Sequence, residues 1–281
     1  MAQARGSETD DERARLLHHY MVERELADRL REAPREERQQ LYAEVYDELF
    51  QRVPFHPQLQ WKDDPAQSRE RVERQLKLLG GLLRPGITFL ELGAGDCSLS
   101  AAVAPTARRV FAVEVSVEIT KGLDLPPNVE VVISDGTSIP VPPGTVDLAY
   151  SNSLMEHLHP DDAQEQLANI FQALAPGGAY LCVTQDGLSG PHDVSKHFDR
   201  VATGFHLREY TVRELAGLFR AVGFSRLDIY LGGHGRFVRS PVSPISATER
   251  ALEALPYGLR KRVASLMPFR IIRLVGTKPS G

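Results

Sequence analysis

The chain has 281 residues, of which 42% are hydrophobic and 25% charged. Since domains usually hold roughly 100–200 residues, this length allows one large domain or one domain with an extension. The ordinary composition excludes a disordered, collagenous or coiled-coil chain. A formal charge of −4 argues against non-specific binding to phosphate backbones, so we expect no nucleic-acid partner.

The sequence gives no sign of secretion or membrane insertion. Its two cysteines, Cys97 and Cys182, form neither a disulfide framework nor a zinc knuckle. No run of about 18 apolar residues predicts a membrane span, and the polar first residues lack the apolar core of a secretory signal. We therefore expect a cytoplasmic protein.

The first third of the chain is predicted to be helical. After a tail at 1–9, leucines at helical spacing predict a helix from Asp10 to about Arg31. Pro34 begins a second helix, the proline-containing stretch 52–61 is a loop, and a third helix begins at Asp64 and Pro65.

From residue 85 onward, short apolar runs alternate with helical patterns. The seven predicted strands are 87–92, 110–115, 129–134, 146–151, 179–184, 226–231 and 269–278. The intervening helical segments include 164–174, a helix capped by Thr211 and Glu214, and a helical piece capped by Ser246 and Glu249. This alternation predicts an α/β fold with a mostly parallel sheet covered on both faces.

The most informative stretch is FLELGAGDCSLS, in which a strand runs through Gly93-Ala94-Gly95 into a helix near Ser98. Glycines permit the sharp turn and allow a ligand to approach the backbone. A dinucleotide fingerprint would have a third glycine where this chain has Ser98. The preceding Glu91 suits a cationic amino group better than a pyrophosphate.

Two acidic residues follow the next two strands. Glu114 ends the second strand, where a carboxylate can accept hydrogen bonds from ribose hydroxyls. Asp135 follows the third strand and can accept a bond from an adenine amino group, while Gly136 keeps the adenine pocket open. The carboxyl ends of parallel strands form the ligand crevice of such sheets, so these features predict a nucleotide site.

Together, ELGAGDCSLS, Glu114, SDGTSIPVPPGTVDLAYSNSLMEHL and ALAPGGAYLCVT resemble class I S-adenosylmethionine-dependent methyltransferases, in particular the small-molecule branch. The resemblance covers about 75–231 and the last predicted strand. It implies a Rossmann-like, doubly wound sheet of strand order 3-2-1-4-5-7-6 with an antiparallel last strand. It also implies S-adenosylmethionine as cofactor and S-adenosylhomocysteine as product.

The resemblance also implies roles for individual residues. Those implied to bind the cofactor are Glu91, Gly93, Ala94 and Gly95 at the methionine part, Glu114 at the ribose, Asp135 and Gly136 at the adenine, and Ser151 and Asn152 near the methionine amino group. Glu91 stands where many relatives have aspartate.

Histidines near the predicted site favour an oxygen acceptor slightly, because a hydroxyl nucleophile needs a base. His157 and His197 are our candidates for the base. His192, His206 and Tyr210 are expected to line the substrate, since they lie in a long loop after the fifth strand.

Other activities have weaker support. His157-x-His159-x-Asp161 only partly matches a binuclear zinc pattern, and Ser153 replaces the first glutamate of an E-x-x-E-H metal motif, so we expect no metal. A G-x-S-x-G elbow is absent from the sequence. An oxidoreductase that uses NAD(P) and a catalytically silent S-adenosylmethionine-binding module remain as alternatives.

We predict two parts: an N-terminal helical extension over 1–65 and a methyltransferase domain over 66–281. The extension could be a lid, a dimer surface or a second layer on the sheet, and we favour a lid that excludes water. A homodimer is possible. The sequence leaves the acceptor molecule open.

Overall fold

The computed structural model describes residues 10–56, 65–233 and 236–281. The predicted tail at 1–9 and most of the predicted loop at 52–61 lie outside these ranges. Nine α-helices in the described ranges are α1 (Asp10–Glu32), α2 (Arg35–Arg52), α3 (Pro65–Leu79), α4 (Ser98–Val103), α5 (Val117–Thr120), α6 (Pro160–Ala173), α7 (Val212–Val222), α8 (Val242–Glu253) and α9 (Tyr257–Ala264). Two short 3₁₀ helices cover Met155–His157 and Val194–His197.

One sheet forms the centre of the molecule. Its strands are β1 (Thr88–Leu92), β2 (Arg109–Glu114), β3 (Val129–Ile133), β4 (Val146–Asn152), β5 (Leu174–Gln185), β6 (Arg226–Gly233), β7 (Arg236–Pro241) and β8 (Ile271–Thr277). They are ordered β3-β2-β1-β4-β5-β8-β6-β7. β1 to β5 are parallel, and β8 runs antiparallel to both β5 and β6. The predicted doubly wound fold is therefore confirmed.

The number of strands differs from the prediction. The sheet has eight strands because β7 pairs with β6 at the outer edge. The sequence of β7, RFVRSP, is polar and mostly exposed, so it carries no apolar run that would have indicated a strand. The predicted seventh strand is β8 in the structure.

Alternate side chains of each strand point to opposite faces of the sheet and pack into two hydrophobic layers, as the two-residue period of a strand requires. Phe89 of β1 packs with the leucines of α3 and α4 on one face. Leu90 packs on the opposite face with α6, α7 and α8. Parallel strands covered on both faces bury every residue of β1.

The predicted extension shares the second of these layers. Leu26 of α1 and Val45 of α2 are fully buried in the same core cluster as Leu90. We call α1 and α2 the N-terminal pair. The pair thus packs on the sheet domain through a continuous apolar core and contacts the loops that follow β4 and β5.

Two helix starts show how capping operates here. Thr211 and Glu214 form the predicted capping box at the start of α7. The predicted cap at Ser246 is wrong, because α8 already begins at Val242 after Pro241. Glu249 is instead buried and accepts hydrogen bonds from the first two backbone N–H groups of α7. It satisfies donors that would otherwise be unpaired.

Candidate active site

The glycine loop joins β1 to α4 at the carboxyl edge of the sheet. Gly93 and Gly95 have φ angles of 66° and 53°. The backbone N–H of Ala94 donates to Val113 O at 3.0 Å and ties the loop to β2. A Cβ added to Gly95 would meet no atom within 4 Å, so open space lies beside the turned backbone. A ligand can therefore reach the main chain there.

Glu91 lies buried under this loop. It is 6% exposed, and its Oε2 accepts a hydrogen bond of 2.6 Å from the Ser100 hydroxyl. Burial raises the pKa of this carboxyl to about 7. A cationic group placed beside Glu91 would favour its ionised form.

Glu114 connects the ends of β1 and β2. Its carboxylate accepts hydrogen bonds from the backbone N–H groups of Gly95, Val115 and Ser116 at 2.8, 2.8 and 3.2 Å. A carboxylate offers about four acceptor positions, so about one remains. Glu114 is thus held rigidly with capacity for one further donor such as a ribose hydroxyl.

The loop after β3 is organised by Asp135. Its Oδ1 accepts from the backbone N–H groups of Thr137 and Ser138 at 2.9 and 2.7 Å. Burial alone would raise the pKa of Asp135, but these bonds hold it below its ordinary value. The space beside Gly136 holds the Tyr42 ring, because an added Cβ would lie 2.8 Å from Tyr42 Cδ2. The expected open pocket at Gly136 is therefore covered by α2 on that side.

Ser151 and Asn152, the two predicted cofactor residues at the end of β4, differ in their exposure. Asn152 is exposed at the sheet edge. Ser151 is fully buried, and its hydroxyl pairs with the Tyr180 hydroxyl at 2.7 Å inside the core. In this structure Ser151 therefore packs beneath the edge and does not line it, since alternate residues of a strand face opposite ways.

A polar cluster follows β4 and β5. One ligand-type atom from each of Glu156, His157 and His206 lies within 4.8 Å of the other two. His157 Nδ1 donates to Phe205 O at 3.0 Å, and Thr184 donates to Glu156 Oε2 at 2.7 Å. The second oxygen of Glu156 is buried without a hydrogen-bond partner. One carboxylate oxygen of this cluster is therefore left without a partner in the described structure.

The two imidazoles of this cluster have pKa values displaced in opposite directions. Burial and the neighbouring His206 lower the pKa of His157. Burial would also lower the pKa of His206, but its 2.6 Å hydrogen bond to Glu209 reverses the effect and raises it. Paired groups with separated pKa values are typical of acid–base sites. The lowered pKa of His157 favours its neutral form near pH 7.

The other predicted histidines do not contribute a ligand-type atom to this cluster. His197 is exposed on the 3₁₀ helix Val194–His197. His192 Nε2 donates to Asp186 O at 3.1 Å, so this ring is occupied in holding its own loop. Tyr210 is 2% exposed and its hydroxyl is buried without a hydrogen bond, which places it within the core. Of the predicted substrate-lining residues, His206 has its ring 4.9 Å from that of His157, and His192 is joined to His206 through Glu209.

Several residues of the site were missed from the sequence. The Tyr46 ring lies 6.2 Å from the His157 ring and 5.0 Å from the Phe205 ring. Glu209 accepts from both His206 Nδ1 and the His192 backbone N–H. Tyr46 belongs to a helix more than 100 residues away, so no local pattern indicates it. Glu209 lies three residues after His206, a spacing that could have suggested the pair.

Comparisons with known proteins agree with this geometry. A family model described as a methyltransferase domain matches residues 65–228. A probable S-adenosylmethionine-dependent methyltransferase of Mycolicibacterium smegmatis is 27% identical over 53% of this chain and 56% of its own length. An uncharacterized methyltransferase of Geobacillus kaustophilus is 27% identical over 50% of this chain and 71% of its own length. The chain spans about half the length of the first two curated relatives that it matches.

A solved structure from Haloferax volcanii illustrates the shared fold. A chain from the complex between the Haloferax volcanii Trm112 methyltransferase activator and the putative methyltransferase superposes with a TM-score of 0.53 at 18% identity. The match covers 76% of this chain and 95% of that chain. At this identity the likeness concerns the fold alone.

The sheet order and the glycine loop at its carboxyl edge define a nucleotide-binding protein of the doubly wound class. Because the family model covers more than half of the chain, the chain belongs to the class I S-adenosylmethionine-dependent methyltransferases. S-Adenosylmethionine is accordingly the cofactor.

None of the described helices is long and apolar enough to cross a membrane.

Proposed function

We propose that the chain transfers the methyl group of S-adenosylmethionine to a small-molecule acceptor bound beside His157, under the N-terminal pair. A hydroxyl acceptor is favoured slightly over an amine. The observation that carries this proposal is the state of His157, whose Nδ1 donates to Phe205 O at 3.0 Å. A carbonyl only accepts, so in the neutral ring Nε2 is the unprotonated nitrogen.

The loops after β1, β2 and β3 would hold the cofactor; we call this region the cofactor half. Glu91 would attract the ammonium group, Gly93, Ala94 and Gly95 would lie along the methionine part, and Glu114 would accept a ribose hydroxyl. Asp135 and Gly136 would flank the adenine, on the side that Tyr42 leaves free, and Asn152 would reach the methionine end. This arrangement is supported by the open space beside Gly95 and the remaining acceptor position of Glu114.

The loops after β4 and β5, with Glu156, His157 and His206, form the acceptor half. The cofactor supplies an activated methyl group, so the protein mainly has to position the acceptor and exclude water. Nε2 of His157 would take the proton of an acceptor hydroxyl. The lowered pKa of His157 keeps the imidazole neutral near pH 7, which is the form that a base requires.

The choice between oxygen and nitrogen can be tested with paired acceptors. We would measure formation of S-adenosylhomocysteine with phenols and with anilines of the same skeleton. His157→Ala should lower turnover of hydroxyl acceptors by roughly 10²–10⁴-fold, the usual contribution of a general base. His18→Ala is the matched control, because His18 lies on the exposed side of α1. A change of only a few-fold in His157→Ala would reject base catalysis and favour an amine acceptor.

The two alternative functions can be distinguished by measurements of turnover and of nucleotide binding. A silent binding module would bind S-adenosylhomocysteine but turn over no acceptor. An NAD(P)-dependent oxidoreductase would bind NAD(P)H in a calorimetric titration and not the sulfur nucleotides.

The remaining expectations are part of this proposal. We propose a lid role for the N-terminal pair and a boundary near residue 65. A cytoplasmic location, a possible homodimer and the absence of a nucleic-acid partner stay predictions.

A further inference from the structure

A second buried polar cluster lies between α1 and the segment after α2, and Glu23 links it to Phe205 of the acceptor half. It comprises His19 and Glu23 of α1 and His56, which follows α2. All three are at most 9% exposed. Three ionisable side chains in an apolar layer cost free energy unless they are paired or bind an ion.

The three side chains present one ligand atom each to a common point. His19 and Glu23 are four residues apart and therefore share a helix face. Their Nε2 and Oε2 atoms are 2.9 Å apart, and the ligand atoms of all three residues lie within 4.8 Å of one another. Two ligands at about 2.0–2.1 Å from a tetrahedral Zn²⁺ are roughly 3.3 Å apart. The 2.9 Å separation of the His19 and Glu23 atoms lies near this spacing, and His56 brings a third ligand atom close to both.

The atoms of His19 and Glu23 differ in whether they already have a hydrogen-bond partner. His19 Nε2 is buried and makes no hydrogen bond of normal geometry, despite its closeness to Glu23. The other oxygen of Glu23, Oε1, accepts from the Phe205 backbone N–H at 2.9 Å. An outer hydrogen bond that fixes a carboxylate is typical of protein metal sites.

We propose that His19, Glu23 and His56 bind a divalent cation of the Zn²⁺ type, with a water molecule in the remaining position. Two imidazoles and a carboxylate are ligands that zinc prefers. Bound there, the cation would join α1 to the segment after α2. Through Glu23 and Phe205 it would also steady the carbonyl that holds His157. The alternative is a buried ion pair of His19 and Glu23 that binds no metal.

The experiment uses the full chain after chelator treatment and titrates it with Co²⁺, a spectroscopically visible substitute for zinc. The cluster of Glu156, His157 and His206 could compete, so every protein carries His157→Ala. We expect one Co²⁺ per chain, detected by calorimetry and visible absorption. Adding Glu23→Gln should weaken binding by at least about 10-fold, since a lost ligand should cost no less than the 10–100-fold effect of an outer-shell change.

His18→Ala in the same background is the matched control, because it removes a histidine adjacent to the cluster. It should leave Co²⁺ affinity within two-fold. His56→Ala serves as a second test if Glu23→Gln does not fold, as judged by circular dichroism. Absence of Co²⁺ binding in the His157→Ala protein, or equal binding with and without Glu23→Gln, would overturn the proposal.

Discussion

The cofactor half and the acceptor half lie at the same sheet edge but are built from contacts of different range. In the cofactor half, Glu114 binds Gly95, Val115 and Ser116, all within 19 residues of it. In the acceptor half, Phe205 meets Glu23 across 182 residues of sequence. Local loops therefore form the first region, whereas docking of distant helices completes the second.

The N-terminal pair is fixed to the acceptor half by a buried ion pair. Arg38 of α2 donates two hydrogen bonds of 2.7 Å to Asp162 of α6, and Tyr42 donates a third. Asp162 is fully buried. A buried charge depends on its partner, so we expect this contact to contribute to holding the pair on the sheet.

Arg38→Ala should have the largest effect. It leaves the Asp162 carboxylate buried without its cation, which typically costs about 3–5 kcal/mol of unfolding free energy. Arg35→Ala is the control, because Arg35, also in α2, forms an exposed ion pair with Glu165 of α6, and such pairs contribute about 1 kcal/mol or less. Urea denaturation measures both. Equal losses in the two variants would show that the buried pair does not hold the helices on the sheet.

The second prediction concerns the cofactor half and the pKa of Glu91, which burial raises from 4.5 to about 7. The folded protein then holds this proton more tightly than the unfolded chain. The contribution of protonated Glu91 to the free energy of unfolding is fully present below pH 4.5 and is lost as the pH rises to about 7. The loss is up to about 3 kcal/mol, since each pKa unit corresponds to about 1.4 kcal/mol.

Glu91→Gln removes the titrating group but keeps an acceptor for Ser100. The stability of the variant relative to wild type should rise between pH 5 and pH 8, as measured by urea denaturation at several pH values. Glu130→Gln, at an exposed position of β3, should follow the wild-type profile. Parallel curves for Glu91→Gln and wild type would contradict the raised pKa.

The third prediction tests whether cofactor binding depends on local contacts alone. Glu114→Ala removes the acceptor proposed for a ribose hydroxyl. A hydrogen bond to a charged group contributes about 1.5–3 kcal/mol, so affinity for S-adenosylhomocysteine should fall roughly 10–150-fold in a calorimetric titration. Asp124→Ala, with an exposed side chain, is the control. Unchanged affinity in Glu114→Ala would remove Glu114 from the site.

The difference in sequence separation between the contacts of the two halves also explains which features the sequence could predict. The strand-to-helix turn at Gly93 to Ser98 and the acid at the end of β2 are readable because each depends on neighbours in sequence. The contact of Tyr42 with Gly136 depends on how α2 packs on the sheet, and no periodicity encodes it. The burial of Ser151 against Tyr180 was not predictable for a related reason, because the sequence shows which strand residues alternate but not which face of the strand meets the crevice.

The smallest expected effect is that of Arg31→Ala, which should change acceptor binding without changing cofactor binding. Arg31 of α1 donates to Thr203 O and Gly204 O at 3.0 and 2.9 Å, on the loop that leads to His206. Arg31 is partly exposed, so we expect the two bonds together to contribute about 1.4 kcal/mol. Arg31→Ala should then raise the KM for the acceptor about ten-fold.

The affinity of Arg31→Ala for S-adenosylhomocysteine should stay within two-fold of wild type, because no described contact of Arg31 reaches the glycine loop. Arg29→Ala, which breaks only the partly exposed ion pair with Glu48, controls for general loosening of the N-terminal pair. If Arg31→Ala weakened cofactor and acceptor equally, the two halves would act as one unit. A change in the acceptor KM alone would instead mean that the N-terminal pair acts as a lid specifically over the acceptor half.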